Sequence, residues 1–501
     1  MSTLLTHEEY CAIAQNITYP VNPFINGEYV PPLSGNSMET INPATGEVIT
    51  RVAACGPGDV DLTVDIARKT FEQGSWSRKH PAERKEIIIQ LAKLIERDQT
   101  ELAVLESLES GKPIIECQMT DLPETIKTLK WHAEAADKIY DQMSPANANG
   151  IGMIVREPIG VVGCVLPWNF PLMMLAWKIG PALAMGNSVI VKPAEQTSLT
   201  TLRIAELALE AGIPAGVLNI LPGLGAEVGE PMGRHQGIDV ISFTGSTEVG
   251  RLFLEFSAKS NLKKIILECG GKNPAVVLSD ANDLDSIAKH VVYSALWNMG
   301  QNCTANSRLI VHKDVKQALL EKVKQELNHW HTGDPLDPKN QLGAIISNEQ
   351  YDKIIAYIDL ATKEGAKLIH GGKVIKSGNG LFIEPTVFDH VTADMTIAKE
   401  EIFGPVLGVM TVDSDQEAID LANDTCYGLQ ASLFTSSLLK AHRYARELQA
   451  GTVSVNCYSE GDITTPFGGY KLSGFGGRDN SFMAHDQYTE LKTIWIETGG
   501  N

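Results

Sequence analysis

A cysteine, a glutamate and an asparagine lie at predicted breaks between elements, where a side chain can be presented to a ligand. Cys303 follows Gly300, Gln301 and Asn302, between a segment with helical periodicity and a short β-rich run. An exposed cysteine whose surroundings favour the thiolate is a nucleophile. The alternative is a buried cysteine that only fills space in a core.

Glu268 and Asn169 have the chemistry that such a nucleophile needs. Glu268 ends an apolar run in LECGGK, and the two glycines after it let another group approach closely, so Glu268 can act as a general base. Asn169 lies within PWNFP, and an amide held by rigid neighbours is a good oxyanion donor. The alternatives are a solvent-facing acid and a turn asparagine bonded to its own backbone.

A second group of residues fits a nucleotide. The segment FTGSTEVG, 243–250, passes from strand to helix with GxxxxG rather than GxGxxG spacing. Ser246 lies at the predicted helix start, where free N–H groups and the helix dipole favour phosphate. Lys192 and Glu195 follow another strand and can hydrogen-bond ribose hydroxyls. A plain connecting turn and a solvated loop pair remain the alternatives.

The elements that must position these residues alternate between strand and helix. Strands are predicted at 161–165, 188–191, 218–221, 240–243, 264–267 and 274–277, and helices near 172–185, 198–212, 225–234 and 247–259. This alternation is typical of a doubly wound parallel sheet. A second α/β set after Asp280 contains predicted strands at 308–312, 382–387, 408–412 and 451–456, and helices at 417–423 and 438–447.

The remaining segments predict further helices and strands. Helices are expected at 59–73, 81–110 and 122–140, and a hairpin at 23–30. Residues 154–163 predict an exposed ribbon that enters a buried strand, and 488–496 alternate like a terminal strand.

Composition excludes several classes of protein. A length of 501 residues predicts two or three domains, and a net charge of -19 argues against nucleic-acid binding. The eight cysteines are dispersed without a CxxC pair, so neither a metal site nor a disulfide framework is predicted. The most apolar run, 161–177, is short and broken by prolines, and no secretory signal is predicted, so a cytoplasmic protein is expected.

Seven motifs occur in one order along the chain: PWNFP, KPAE, FTGSTEVG, LECGGK, GQNC, EEIFGP and PFGGYKLSG. In these motifs and their spacing the chain resembles the aldehyde dehydrogenase superfamily. The loop NCYSEGDITTPF, 456–467, is most similar to bacterial γ-glutamyl-γ-aminobutyraldehyde and ω-aminoaldehyde dehydrogenases.

The resemblance implies an α/β fold. It implies a Rossmann-like NAD-binding domain from 1–141 and 161–280, an α/β catalytic domain from 281–484, and an oligomerisation β-ribbon from 142–160 and 485–498. The implied reaction is NAD-dependent oxidation of an aldehyde to a carboxylic acid through a cysteine thiohemiacetal and thioester, in a homotetramer built as a dimer of dimers.

The resemblance also implies residue roles. Cys303 is the implied nucleophile, Glu268 the base, Asn169 an oxyanion donor together with the Cys303 N–H, and Lys178 part of a proton path. The implied cofactor residues are Leu166, Pro167, Trp168, Lys192, Glu195, Gly225, Phe243, Gly245, Ser246, Gly270, Glu401 and Phe403. The implied substrate residues are Phe170, Met174, Trp177, Asn302, Glu460, Asp462 and Phe467.

Two departures from the family pattern affect these expectations. The loop SGFGGRD, 473–479, is one residue longer than usual, and Asp479 is its acid. Gly461 replaces a pocket aromatic and is flanked by Glu460 and Asp462, which favours a wide, acidic mouth and a cationic aldehyde.

Other functions remain open at this point. If both acids face solvent, a broad-specificity aliphatic aldehyde dehydrogenase is expected instead. A Cys–Glu–Lys amide or nitrile hydrolase has no use for a phosphate site at 245–250, and a non-catalytic protein has no need of the reactive residues.

Overall fold

Two groups of buried strands form two mainly parallel sheets, which a computed structural model describes for residues 4–146 and 149–499. The first sheet has eight strands in the spatial order Glu28–Tyr29, Phe24–Ile25, Leu218–Ile220, Ser188–Lys192, Val161–Val165, Val240–Thr244, Lys264–Glu268 and Gly474–Phe475. Its five central strands are parallel, and the strand order reverses between Val161–Val165 and Val240–Thr244. Such a reversal opens a crevice at the carboxyl ends of the strands.

The second sheet has seven strands in the order Lys367–His370, Thr386–Asp389, Val406–Val412, Arg308–His312, Pro274–Val277, Gln430–Phe434 and Thr452–Val455. The prediction that 274–277 belongs to the first sheet is therefore wrong. Pro274–Val277 pairs in parallel with Arg308–His312 and with Gln430–Phe434. Its continuous apolar sequence fits the centre of either sheet equally well, so hydrophobicity alone did not assign it.

The last strand of the first sheet is supplied by the distant segment Gly474–Phe475. This segment lies antiparallel to Lys264–Glu268, with Gly474 opposite Glu268. A loop that follows the second sheet thus returns to the first sheet at the position of the predicted base.

The predicted ribbon is present as a three-stranded antiparallel sheet. Thr489–Glu497 pairs with Gly150–Pro158 along its whole length, and Gln142–Ser144 adds a short third strand. Residues 147 and 148 of the predicted ribbon lie outside the described residues. Leu491 and Trp495 are exposed on this ribbon, at 64% and 56% of their surface.

Helices cover the sheets. Those with the first sheet are His7–Ala14, Pro57–Gln73, Pro81–Arg97, Gln99–Ser110, Ile114–Glu116, Leu122–Ala135, Pro171–Ala184, Leu199–Ala211, Glu230–Arg234 and Thr247–Ala258, with π-helical turns at Cys117–Asp121 and Gly225–Gly229. The others are Leu284–Leu296, Lys313–Leu327, Asn348–Lys363, Thr396–Lys399, Asp415–Asn423, Leu438–Glu447 and Met483–Asp486, with 3₁₀ turns at Trp297–Gly300 and Lys471–Ser473. Two further hairpins pair Ser37–Ile41 with Val48–Ala53 and Val374–Ile375 with Phe382–Ile383.

Two predicted helices differ from the observed ones. The predicted helix 81–110 is broken at Asp98, whose backbone is not helical (φ -97°, ψ 11°). The carboxylate of Asp98 forms ion pairs with Arg97 and Arg203. The predicted helix 122–140 ends at Ala135. Within residues 4–146 and 149–499, no helix combines the length and apolar character that crossing a membrane requires.

Candidate active site

A strained turn presents Cys303. The helix Leu284–Leu296 ends at Trp297, and Asn298 and Met299 then take left-handed conformations, with φ of 52° and 55°. The amide of Asn273 donates to the Cys303 carbonyl at 2.7 Å, which fixes the backbone of the half-buried cysteine. Burial raises the pKa of the Cys303 thiol well above its ordinary value, and nearby carboxylates add to the shift. The thiol therefore needs a base before it can react.

Asn169 is held against the same turn. Its side-chain amide donates to the backbone carbonyl of Gln301 at 3.1 Å, and the backbone carbonyl of Asn169 accepts from the side-chain amide of Asn298 at 2.9 Å. Asn169 and Cys303 line one cavity. Because one amide N–H bonds to Gln301, the other is left for a ligand in that cavity.

Glu268 ends the strand Lys264–Glu268 and lines this cavity with only 4% of its surface exposed. Neither carboxylate oxygen has a hydrogen-bond partner among the described residues. Burial raises the pKa of Glu268 well above its ordinary value, and the charge of Asp479 adds to the shift. A carboxyl group with a raised pKa and free oxygens is suited to accept protons.

Lys178 and Asp479 form an ion pair beside the cavity. Lys178 Nζ lies 2.7 Å from Asp479 Oδ2, and both side chains are fully buried. Asp479 lines the cavity, whereas Lys178 lies behind it on the helix Pro171–Ala184. The longer glycine loop thus still brings its acid to the predicted lysine.

Glycines allow Glu401 to reach the cavity. The N–H of Gly271 donates to Glu401 Oε1 at 2.8 Å, and a Cβ on Gly270 would lie 2.0 Å from Glu401 Oε2. Any larger residue at 270 would displace the carboxylate. Phe403 has a left-handed backbone (φ 59°) and packs edge-on against Trp168, with ring centroids 5.3 Å apart.

The crevice of the first sheet supplies the nucleotide candidates. Ser246 caps the helix Thr247–Ala258, accepting from the N–H of Val249 at 3.2 Å. In the loop after Ser188–Lys192, Lys192 Nζ lies 3.2 Å from Glu195 Oε2. A helix N-terminus in such a crevice favours phosphate.

The cavity has a volume of about 230 Å³ and brings together most of the predicted site. It is lined by the predicted residues Pro167, Trp168, Asn169, Phe170, Met174, Trp177, Gly245, Ser246, Glu268, Gly270, Asn302, Cys303, Glu401, Phe403, Glu460 and Phe467. The predicted residues outside its lining are Leu166, Lys178, Lys192, Glu195, Gly225, Phe243 and Asp462. Leu166 and Phe243 are buried in the adjacent strand ends.

A second cavity of about 220 Å³ adjoins the first and shares Met173, Trp177 and Glu460 with it. Tyr293, Trp297 and Tyr458 give it an aromatic wall, and the stacked rings of Tyr293 and Trp297 lie 5.9 Å apart. A cavity with an aromatic wall thus adjoins the cavity that Cys303 lines.

The two acids that flank Gly461 have different surroundings. Glu460 faces both cavities and hydrogen-bonds Thr304 and Tyr458, which are neutral, and burial raises its pKa. Asp462 is exposed, lines only the second cavity, and pairs with Lys127 at 2.9 Å.

Comparison with known proteins identifies the family and the fold. The Aldehyde dehydrogenase family matches residues 29–494. The chain belongs to the aldehyde dehydrogenase family. It is 58% identical over 497 residues to aminoacetaldehyde dehydrogenase of Pseudomonas aeruginosa, a match that covers 99% of this chain and 100% of that relative.

Solved aldehyde dehydrogenases have the same fold. γ-Glutamyl-γ-aminobutyraldehyde dehydrogenase of Burkholderia cenocepacia superposes with a TM-score of 0.97 at 45% identity, covering 99% of this chain and 100% of that one. Indole-3-acetaldehyde dehydrogenase of P. syringae, in complex with NAD⁺, superposes with a TM-score of 0.97 at 46% identity, covering 98% and 100%. The predicted family and α/β fold are confirmed, and the chain is an oxidoreductase that acts on aldehydes.

Sequence reasoning missed several residues at the site of this aldehyde dehydrogenase. Gln350 and Lys353 line the cavity from the helix Asn348–Lys363, which was not predicted. The amide of Gln350 donates to the carbonyls of Ile402 and Phe403 at 3.0 and 2.8 Å. The only sequence signal for these two residues was that they are three positions apart, on one face of a helix. That spacing is common on any helix, so it did not identify them.

Proposed function

We propose that this aldehyde dehydrogenase uses Cys303 as nucleophile and NAD⁺ as hydride acceptor to convert an aldehyde to a carboxylic acid. The observation that carries the proposal is that Cys303, Asn169 and Glu268 line one cavity with Ser246 and Glu401. A nucleophile, an oxyanion donor and a base thus meet two groups suited to phosphate and ribose.

The residues present fit NAD⁺. The strand-order reversal opens a crevice. Because Gly270 has no side chain, the Glu401 carboxylate occupies the space that a Cβ at position 270 would fill. Ser246 and its helix start would hold the pyrophosphate, Lys192 and Glu195 the adenosine ribose, and Glu401 the nicotinamide ribose. Leu166, Pro167, Trp168, Gly225, Phe243, Gly245 and Phe403 would complete the walls. When bound, NAD⁺ accepts the hydride of the aldehyde.

Acylation begins with proton transfer from Cys303. Glu268, whose carboxylate becomes a stronger base as burial raises its pKa, takes the proton directly or through water. The thiolate attacks the carbonyl carbon to give a thiohemiacetal. The developing oxyanion accepts from the Asn169 amide and the Cys303 N–H.

Deacylation needs a second proton transfer. After hydride loss the substrate is a thioester on Cys303, and Glu268 deprotonates the water that hydrolyses it. The Lys178–Asp479 pair lies beside Glu268 and can carry the released proton away from the cavity. The products are the carboxylic acid and the regenerated thiol.

Glu268→Gln tests this mechanism. An amide can accept neither proton, so we expect steady-state turnover to collapse. A burst of NADH near one per active site should still form, but more slowly than in the parent, because bulk water must then take the Cys303 proton. Rapid-mixing absorbance at the NADH band measures both phases. A parental steady-state rate would show that Glu268 is only structural.

The proposed substrate is an aldehyde with a remote cationic or amide group, such as an ω-amino or γ-glutamylamino aldehyde of polyamine catabolism. The Glu460 carboxyl group accepts hydrogen bonds from neutral donors at the junction of two cavities with aromatic walls. Aromatic rings and a carboxylate both attract an ammonium group. The names of the P. aeruginosa and B. cenocepacia relatives agree with this class. The alternative is a broad-specificity aliphatic aldehyde dehydrogenase.

A ratio of substrates tests the specificity. We expect kcat/KM for 4-aminobutyraldehyde to exceed that for pentanal, and Glu460→Gln to lower the ratio about tenfold, or about 1.4 kcal/mol. Asp462→Asn is the matched comparison, because Lys127 already offsets its charge, and its effect should be smaller. Preference for pentanal, or an unchanged ratio in Glu460→Gln, would favour the broad-specificity enzyme.

We further propose a cytoplasmic homotetramer, a dimer of dimers joined through the ribbon. The exposed Leu491 and Trp495 support this proposal, because large apolar side chains on a strand are commonly covered by a partner.

A further inference from the structure

A fully buried ammonium group lies directly behind the wall of the active site. Lys112 follows the helix Gln99–Ser110, and its Nζ lies 3.8 Å from the centroid of the Phe170 ring. Phe170 is 2% exposed, follows Asn169 in sequence, and lines the cavity that contains Cys303. The cation therefore contacts the residue next to the proposed oxyanion donor, and Lys112 itself does not line the cavity.

Two acids hold this ammonium group in place. Lys112 Nζ makes a close ion pair with Asp121 and lies 3.9 Å from Glu106 Oε1, and all three side chains are fully buried. Burial alone would lower the pKa of Lys112, but the charges of Asp121 and Glu106 keep it above its ordinary value. Asp121 ends the π-helical turn Cys117–Asp121, a rare conformation that recurs at functional sites.

Stability alone gives a weak reason for such a cluster. Removing charges from water costs free energy that their attraction often fails to recover, and apolar residues of similar size frequently serve as well or better. One oxygen of Asp121 and both oxygens of Glu106 have no hydrogen-bond partner among the described residues. A role in geometry accounts for the cluster better than a role in stability.

Phe170 links the cluster to the turn that carries the nucleophile. Its ring packs on Trp297 at a centroid distance of 5.0 Å. The next residue, Asn298, donates from its amide to the carbonyls of both Asn169 and Gln301, at 2.9 and 3.0 Å. A movement of Phe170 would therefore shift both the side chain and the backbone contacts of Asn169.

We propose that Lys112 is a positioning residue: its ammonium group fixes the Phe170 ring by a desolvated cation–π contact and thereby aims the Asn169 amide at the oxyanion. The proposal rests on the oxyanion role proposed above for Asn169. A cation over a ring face restricts ring tilt and translation in a way that an apolar neighbour does not. Small misplacements of a catalytic donor lower rates strongly.

The test separates hydride transfer from cofactor binding. In Lys112→Met, a neutral side chain of similar length, we expect the single-turnover rate of NADH formation at saturating aldehyde to fall at least tenfold. The Kd for NAD⁺ should stay within about twofold, because Lys112 lies outside the lining of the cofactor crevice. Lys112→Arg, which keeps the charge, should recover part of the lost rate.

Two further variants distinguish the possible failures. Asn169→Ala should lose at least as much single-turnover rate as Lys112→Met; a parental rate would overturn the oxyanion role itself. If Asn169→Ala is slow but Lys112→Met is parental, only the positioning role is wrong. Lys316→Met removes a different ion pair, Lys316–Asp389 at 2.7 Å, remote from Phe170, and should leave the rate unchanged.

Phe170→Leu tests the link when the cluster is intact. We expect it to lower the single-turnover rate, and Lys112→Met added to it should cost little more, since both changes break one contact. If the two losses multiply, or if Phe170→Leu has the parental rate, the proposal is overturned. Should Lys112→Met fail to fold, the double variant Lys112→Met/Asp121→Asn removes both charges of the close ion pair, and the same rates are measured on it.

Discussion

At the scale of single residues, the active site disfavours the charged forms of its two reacting groups. Burial raises the pKa of both Cys303 and Glu268, and the carboxylates near the thiol raise the pKa of Cys303 further. In the proposed mechanism, the proton needed for catalysis is thus exchanged between two groups of raised pKa in one cavity. This arrangement suits a base that must act twice in each turnover.

Cys303→Ala should abolish aldehyde oxidation and leave NAD⁺ binding intact, because in the proposed mechanism the thiol forms the covalent intermediate, whereas Ser246, Lys192 and Glu195 hold the cofactor. Steady-state NADH formation and calorimetric titration with NAD⁺ measure the two properties. Cys269→Ala, another cysteine that lines the cavity, is the control and should remain active. Turnover of Cys303→Ala within about tenfold of the parent would exclude it as nucleophile.

Glu268→Gln should stabilise the protein, and the gain should grow with pH. The folded state raises the pKa of Glu268, so it binds the proton more tightly than the unfolded chain. Stability contributed by the neutral form is complete below the unfolded pKa, about 4.3. It is lost as pH rises towards the folded value, and glutamine avoids this loss.

Thermal unfolding at pH 5 and pH 8 measures this effect. The difference in Tm between Glu268→Gln and the parent should be larger at pH 8. Glu227→Gln, at an exposed acid, is the control and should show no such trend. A larger gain at pH 5 would contradict the assigned direction of the shift.

At the scale of elements, the side chains proposed to bind the cofactor and to catalyse the reaction come from the carboxyl ends of neighbouring strands. Val161–Val165 leads to Asn169, Val240–Thr244 to Ser246, and Lys264–Glu268 ends at the base itself. Parallel strands bring such ends to one edge, so residues about a hundred positions apart share a cavity.

Cofactor choice should depend on the loop after Ser188–Lys192. A 2′-phosphate would meet the carboxylate of Glu195, so we expect a higher kcat/KM with NAD⁺ than with NADP⁺. Lys192 offsets part of this repulsion at 3.2 Å, which makes the preference modest. Glu195→Gln should narrow it by improving kcat/KM with NADP⁺.

Steady-state kinetics with both cofactors, at one saturating aldehyde concentration, measures this preference. Glu248→Gln, at an acid in the first turn of the helix Thr247–Ala258, serves as the control for a general charge effect. An equal or higher parental kcat/KM with NADP⁺ would contradict the role given to Glu195.

Sequence patterns predicted the elements that carry motifs better than those that do not. The strand 161–165 was placed correctly, since it is apolar and bounded by prolines and glycines. The helices Lys313–Leu327 and Asn348–Lys363 carry no motif, so Gln350 and Lys353 were missed. No sequence signal distinguished Glu460 from Asp462, because the Lys127 that pairs with Asp462 is over three hundred residues away.

At the scale of the whole molecule, the ribbon stands apart from both sheets and exposes large apolar side chains. Leu491, Thr493 and Trp495 are two residues apart and therefore lie on the same face of the strand Thr489–Glu497. An exposed apolar strand face is a liability unless another surface covers it. We therefore expect this face to be buried between subunits.

Leu491→Asp/Trp495→Glu should yield smaller assemblies than the parent, because two charges would be buried at the proposed interface. Light scattering after size-exclusion chromatography measures the mass. Lys492→Ala, on the other face of the same strand, should leave the mass unchanged. A parental mass for the double variant would place the interface elsewhere.

The pairing of Gly474 with Glu268 has a mechanical consequence for cofactor exchange. The chain returns from the second sheet to the first at the proposed catalytic base, as a strand hydrogen-bonded along the edge of Lys264–Glu268. A hinge that parted the two sheets would have to peel this strand away and dislodge the base with each turnover. Exchange of spent for fresh cofactor must instead use local rearrangements while the two sheets stay together. One such rearrangement is movement of the Glu401 carboxylate away from the Gly271 N–H that donates to it.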